Sequence, residues 1–164
     1  PTFHIFSTSL SLVNIICFIL FTIASLTDYL DGYLARKNNQ VTTFGKFIDP
    51  IADKLIVNTA LLLLTSSNEL SIIIPIIMIS RDTIVDAIRM VAVTNQKVLA
   101  ASYLGKAKTM TQMIAICILL LNNVFFNDIN VPMGDIMIII ATIISVVSGV
   151  DYFIKNKDFI TESM

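Results

Sequence analysis

The chain has 164 residues, 55% of them hydrophobic and only 14% charged, with a formal net charge of −1 and a mean hydropathy of +0.82. Soluble domains carry about 25% charged residues, so this composition excludes an ordinary water-soluble globule, and no nucleic-acid partner is expected. Cys17 and Cys117 each lie inside an apolar run, the pattern of small packed hydrophobes rather than of a disulfide framework or a zinc site.

A helix that crosses a bilayer needs about 20 mainly apolar residues. Five stretches have that length, roughly 5–27, 47–66, 70–94, 104–123 and 134–154. They predict an all-α, polytopic transmembrane helix bundle forming a single domain over 1–164. The first begins just after His4, the only histidine, which reads as an interfacial residue rather than a ligand. It ends in Thr27-Asp28-Tyr29-Leu30-Asp31-Gly32-Tyr33-Leu34-Ala35-Arg36, where Asp28 and Asp31 are three residues apart. After a short polar connection, Gly45-Lys46-Phe47-Ile48-Asp49-Pro50-Ile51-Ala52-Asp53-Lys54 opens the second, with Asp49 and Asp53 four apart. Either spacing places both acids of a pair on one helix face, and the short connection makes the two helices antiparallel neighbours.

Four carboxylates brought together in a low-dielectric site repel strongly. Hard divalent cations with oxygen ligands relieve that repulsion, so Asp28, Asp31, Asp49 and Asp53 are candidate ligands for Mg²⁺ or Mn²⁺. Gly32 and Ala35 leave room for a ligand near the backbone, Gly45 can do the same on the second helix, and Arg36 and Lys46 supply charge suited to phosphate. Tyr29, Tyr33 and Phe47 read as helix-packing aromatics.

The third stretch starts as pure hydrocarbon and then holds Arg81, Asp82, Asp86 and Arg89. Ionisable groups at membrane depth face a bundle interior or a wet cavity. As Arg81–Asp82 and Asp86–Arg89 they could simply neutralise one another, yet neighbouring stretches turn polar at the same end, which predicts an aqueous chamber there. The fourth opens with Gly105-Lys106-Ala107-Lys108-Thr109. If the five spans alternate in direction, all 11 basic residues fall at one set of ends, and the opposite connections, around 66–69 and 122–133, hold none. The positive-inside rule then makes the basic side cytoplasmic. Pro1 would lie outside, which a preceding helix beyond this sequence would account for.

At eight positions, Asp28, Asp31, Gly32, Ala35, Arg36, Gly45, Asp49 and Asp53, residue types and spacing are similar to the signature of the CDP-alcohol phosphotransferase family. The Asp49–Lys54 run, Arg81, Arg89 and the Gly105–Thr109 run resemble the branch whose acceptor is sn-glycerol 3-phosphate, although that branch usually has threonine and glycine where Asp86 and Ala87 stand. The resemblance implies an enzyme that moves the phosphatidyl group of CDP-diacylglycerol to an alcohol and releases CMP, in a six-helix fold whose first helix is missing here. It implies a pair of Mg²⁺ or Mn²⁺ ions, a homodimer in the bacterial cell membrane, and a site facing the cytoplasm. It further implies CDP contacts at Asp31, Gly32, Ala35, Arg36, Gly45 and Asp49, with Asp53 as the base for the acceptor hydroxyl.

Arg81, Arg89, Lys106 and Lys108 are candidates for an acceptor phosphate, since guanidinium forks grip phosphate and lysines add charge. That cluster weighs against serine as acceptor, and less against an inositol compound or phosphatidylglycerol. Intramembrane prenyltransferases also use aspartate pairs and Mg²⁺ but lack the linked glycine and alanine-arginine positions. A cation channel or transporter would spread its acids across the membrane, whereas these lie at one end.

Overall fold

In the computed structural model, residues 2–5, 8–38, 43–94, 102–126 and 131–162 are described; within these, the side chains of 2–10, 29, 35, 36, 43–50, 94 and 158–162 are not. Two short strands, β1 (Thr2–Ile5) and β2 (Thr8–Ser11), pair antiparallel with Thr2 opposite Ser11 and Ile5 opposite Thr8. Five helices follow: α1 (Leu12–Lys37), α2 (Thr43–Ser66), α3 (Ile73–Thr94), α4 (Tyr103–Leu120) and α5 (Met133–Glu162). The helices match the five apolar stretches. The start of the first does not: the apolar run predicts helix from about residue 5, and the helix begins at Leu12. Hydropathy marks those residues as apolar but ignores their conformational preference. Thr2, Ile5 and Thr8 are β-branched and Ser9 and Ser11 compete with a helix for backbone hydrogen bonds, so the segment pairs as strands.

Among the described residues two helices, over Leu12–Leu34 and Met133–Lys157, are long and apolar enough to cross a bilayer by length and composition. The middle helices carry more polarity: Arg81, Asp82, Asp86 and Arg89 interrupt α3, and Lys106, Lys108 and Gln112 fill the first half of α4. The bundle buries Leu61, Leu64, Met78, Ile116, Leu120 and Ile138 almost completely. Its outside is apolar as well. Val13, Ile16, Leu20 and Ile23 on α1, and Ile139, Ile143, Val147 and Val150 on α5, are all exposed. Water-facing monomers rarely leave so much contiguous hydrocarbon uncovered.

Two helices end by the same device. After α2, the Asn68 N–H bonds Thr65 O and the Glu69 N–H bonds Leu64 O, with Asn68 at φ 58°. After α4, the Asn122 N–H bonds Leu119 O and the Asn123 N–H bonds Ile118 O, with Asn122 at φ 49°. This is the Schellman arrangement, in which a left-handed residue lets the chain satisfy the last carbonyls before turning away. The Asn123 Oδ1 then accepts from the Gly134 N–H at 2.6 Å, so the end of α4 caps the start of α5. Ser102 caps α4 by accepting from the Gly105 N–H at 3.0 Å.

In the turn between α2 and α3, Asn14 of α1 donates to Glu69 Oε1 at 2.7 Å. The second carboxylate oxygen of Glu69 is buried with no partner among the described residues. Burial raises the Glu69 pKa above the ordinary glutamate value, and the Asn14 bond offsets this only in part. An acid with a raised folded pKa adds stability below its unfolded pKa and loses it as pH rises through the folded value. Glu69→Gln is therefore expected to flatten the fall in thermal stability as pH rises from the carboxylate range towards neutrality, measured on detergent-solubilised protein.

Candidate active site

Asp28 and Asp31 stand in the last third of α1, Asp28 half-buried and Asp31 exposed, with Gly32 beside them. Asp53, half-buried, lies on α2, which packs against α1. Asp49 is on the first half of α2, but its side chain, like those of Ala35, Arg36 and Lys46 and the surroundings of Gly45, lies outside the described residues. Among the described residues no three acids form a metal-sized group. The described part of the constellation is thus an acid pair on α1 and Asp53 on α2.

The basic residues are arranged more tightly than their spacing suggests. Asp82 of α3 accepts from Arg81 Nη1 at 2.9 Å through one carboxylate oxygen and from Lys108 Nζ of α4 at 2.5 Å through the other. Arg81 also reaches α5, donating from Nη2 to Ser148 Oγ at 2.5 Å and from Nε to the Ser145 carbonyl at 3.2 Å. One guanidinium and one carboxylate therefore tie three helices together. Lys108, Ser145 and Ser148 are buried, as is Gln112 one turn beyond Lys108. The Gln112 amide nitrogen and the Ser145 hydroxyl have no partner among the described residues. The seam is polar but not fully satisfied.

Two further links flank it. Lys54, next to Asp53 on α2, pairs with Asp86 of α3. Arg89 lies over the ring of buried Tyr152 on α5, 5.4 Å from the ring centre, with its Nε 3.4 Å from the phenol oxygen. The Lys54 ammonium is within electrostatic reach of Arg81, Asp82, Arg89 and Lys108. Lys54, Arg81, Arg89 and Lys108 thus share one zone with the carboxylates of Asp82 and Asp86, and the cations outnumber those two acids, which suits an anionic ligand. Lys106 is exposed at the start of α4, apart from the buried seam.

The expected Arg81–Asp82 pair is present, but Asp86 bonds across to Lys54 on a neighbouring helix. The parts that sequence reasoning missed are Lys54, Ser148 and the joint use of Asp82 by two cations. A signal existed for Asp86: an acid inside an apolar stretch calls for a cation, and Lys54 supplies it.

The Arg81 stem passes close to α5. A Cβ built on Gly149 would lie 2.9 Å from Arg81 Cγ, and one on Gly105 would lie 3.1 Å from Ser102 Oγ. Gly149→Ala is expected to destabilise the protein by about 1–3 kcal/mol, the usual result of overfilling a packed contact, read as a lowered thermal midpoint in detergent.

Residues 2–147 match the family described as CDP-alcohol phosphatidyltransferase. The chain belongs to that family. It is 46% identical over 145 residues to a CDP-diacylglycerol–glycerol-3-phosphate 3-phosphatidyltransferase of Bacillus subtilis, covering 88% of this chain and 75% of that protein. Proteins of the same name from Haemophilus influenzae and Rickettsia bellii are 42% identical over 150 residues and 36% identical over 145. Those alignments cover 89% and 86% of this chain, and 80% and 78% of the respective relatives. Membership of the CDP-alcohol phosphatidyltransferases makes this chain a transferase, and the matched span runs from β1 through the four candidate aspartates and the basic side chains of α3 and α4 into α5.

Proposed function

We propose that this chain transfers the phosphatidyl group of CDP-diacylglycerol to sn-glycerol 3-phosphate, giving phosphatidylglycerol phosphate and CMP. The observation that carries this reading is the gathering of Arg81, Lys108, Arg89 and Lys54 in one zone, which suits an acceptor bearing its own phosphate. The relatives' shared name supports the same donor and acceptor.

The acceptor hydroxyl oxygen attacks the phosphorus that carries the diacylglycerol. A new P–O bond forms, the bond to the CMP phosphate breaks, and CMP leaves with the bonding electrons. The hydroxyl proton goes to Asp53, the base that the family resemblance implies, which precedes Lys54 on α2. Asp31, Gly32, Ala35, Arg36, Gly45 and Asp49 line the nucleotide end in this reading, and Lys106 adds charge at the entrance.

Asp28, Asp31, Asp49 and Asp53 would hold Mg²⁺ or Mn²⁺, two ions by the family resemblance. The chemistry of the donor set fits: all are hard carboxylate oxygens, and those described, on α1 and α2, are partly or fully exposed. A divalent ion bound there would polarise the diphosphate oxygens and offset charge on the departing CMP.

All five helices lie in the membrane in this reading, with the acids and the seam at the cytoplasmic end. The exposed apolar side chains of α1 and α5 and the confinement of basic residues to one set of ends support it. The protein works as a homodimer. The decisive experiment incubates purified protein with CDP-diacylglycerol and Mg²⁺ against a panel of acceptors and follows CMP. Release with sn-glycerol 3-phosphate, but not with serine, inositol phosphate or phosphatidylglycerol, is expected; release with one of those three instead would overturn the assignment of the acceptor.

A further inference from the structure

We propose that Asp82 is a positioning residue for the acceptor: it holds Arg81 and Lys108 side by side, both charged, and does not itself touch the substrate. The inference rests on the reading above, in which those two cations take the acceptor phosphate. Each oxygen of the Asp82 carboxylate serves a different cation, one on its own helix and one on α4. Two positive groups sharing one carboxylate lie close together, and the Lys108 side chain is only 4% exposed. At that spacing and burial their mutual repulsion is scarcely screened. Without a counter-charge between them, one would swing away or give up its proton.

The two cations depend on Asp82 to different degrees. Arg81 is also fixed by Ser148 and the Ser145 carbonyl, and its stem lies against Gly149. Lys108 has Asp82 as its bonded partner among the described residues. Loss of the carboxylate therefore releases the lysine first and leaves the arginine near its place. Three of the five guanidinium N–H groups of Arg81 are used within the seam among the described residues. One N–H on each terminal nitrogen, together with further ammonium hydrogens of Lys108, remains for a phosphate. The carboxylate thus fixes the spacing of the donors while leaving enough of them for the ligand.

The test measures kcat and the KM for each substrate in wild type, Asp82→Asn, Asp82→Glu and Arg81→Ala, in detergent with Mg²⁺. Asp82→Asn is expected to raise the KM for sn-glycerol 3-phosphate about tenfold or more, the scale of one charge-assisted contact, with the KM for CDP-diacylglycerol unchanged. Asp82→Glu keeps the charge but displaces it on a longer stem, so it should recover only part of that loss and leave the KM for sn-glycerol 3-phosphate above the wild-type value. If Arg81→Ala raises the acceptor KM but Asp82→Asn lowers only kcat, with both KM values intact, Asp82 is merely structural and the inference is overturned. If Arg81→Ala leaves the acceptor KM unchanged, the acceptor-site reading itself fails. Should Asp82→Asn not fold, Asp82→Glu decides: a rise in the acceptor KM alone supports the role, and an unchanged value overturns it.

Discussion

Replacing Asp53 by asparagine is expected to lower kcat by about 10²–10⁴-fold, the usual contribution of a positioned general base, while CDP-diacylglycerol still binds in the presence of Mg²⁺. Asparagine keeps the size of the side chain and one acceptor oxygen but cannot take the hydroxyl proton. Asp53 also belongs to the proposed ligand set, so donor binding must be measured alongside turnover. Binding retained with turnover lost assigns Asp53 to the proton. Loss of both would make it chiefly a ligand, and retained turnover would remove it from the mechanism. The family resemblance, which gives Asp53 the role of base, is what makes the first outcome the expected one.

The second large effect is on Arg81. Arg81→Ala is expected to raise the KM for sn-glycerol 3-phosphate by about 10–100-fold, equivalent to the roughly 1.5–3 kcal/mol of hydrogen bonds to a charged group. Arg81→Lys should recover little, because an ammonium cannot reproduce the two-pronged guanidinium contact. Donor KM stays constant if the guanidinium serves the acceptor alone. An unchanged acceptor KM with weakened CDP-diacylglycerol binding would move Arg81 to the donor side. Because Arg81 also bonds Asp82, Ser148 and the Ser145 carbonyl, the thermal midpoint should fall too, so KM values need comparison at matched folded fraction.

The five helices are legible in the amino-acid sequence through the length of the apolar stretches, since burying hydrocarbon against helices or lipid dominates everything else in such a chain. The acid spacings are legible because helical period is fixed by the backbone. What escapes such a reading is local and tertiary. Hydropathy misses the strands of Thr2–Ser11 because it weighs side chains, whereas pairing there follows backbone preference. The joint use of Asp82 by Arg81 and Lys108 is invisible along the chain because residues 82 and 108 meet only once α3 and α4 have packed. Spacing alone pairs Asp86 with Arg89 three residues on, a contact worth only about 0.2–0.5 kcal/mol on an isolated helix. Lys54 of α2 offers it a partner across the helix interface.

The close passage of the Arg81 stem over Gly149 also limits how this sequence can drift. The two positions are not independent: a Cβ at 149 would stand 2.9 Å from Arg81 Cγ, so the arginine stem would have to shift. A side chain at 149 therefore costs stability while the arginine stays, and a thinner residue at 81 relieves the contact only by giving up the guanidinium. Residues in contact are where the effects of substitutions stop adding. As long as the arginine is kept, position 149 favours glycine, although it carries no charge. A change that begins at 149 carries that packing cost, and one that begins at 81 removes the guanidinium on which the proposed acceptor site depends.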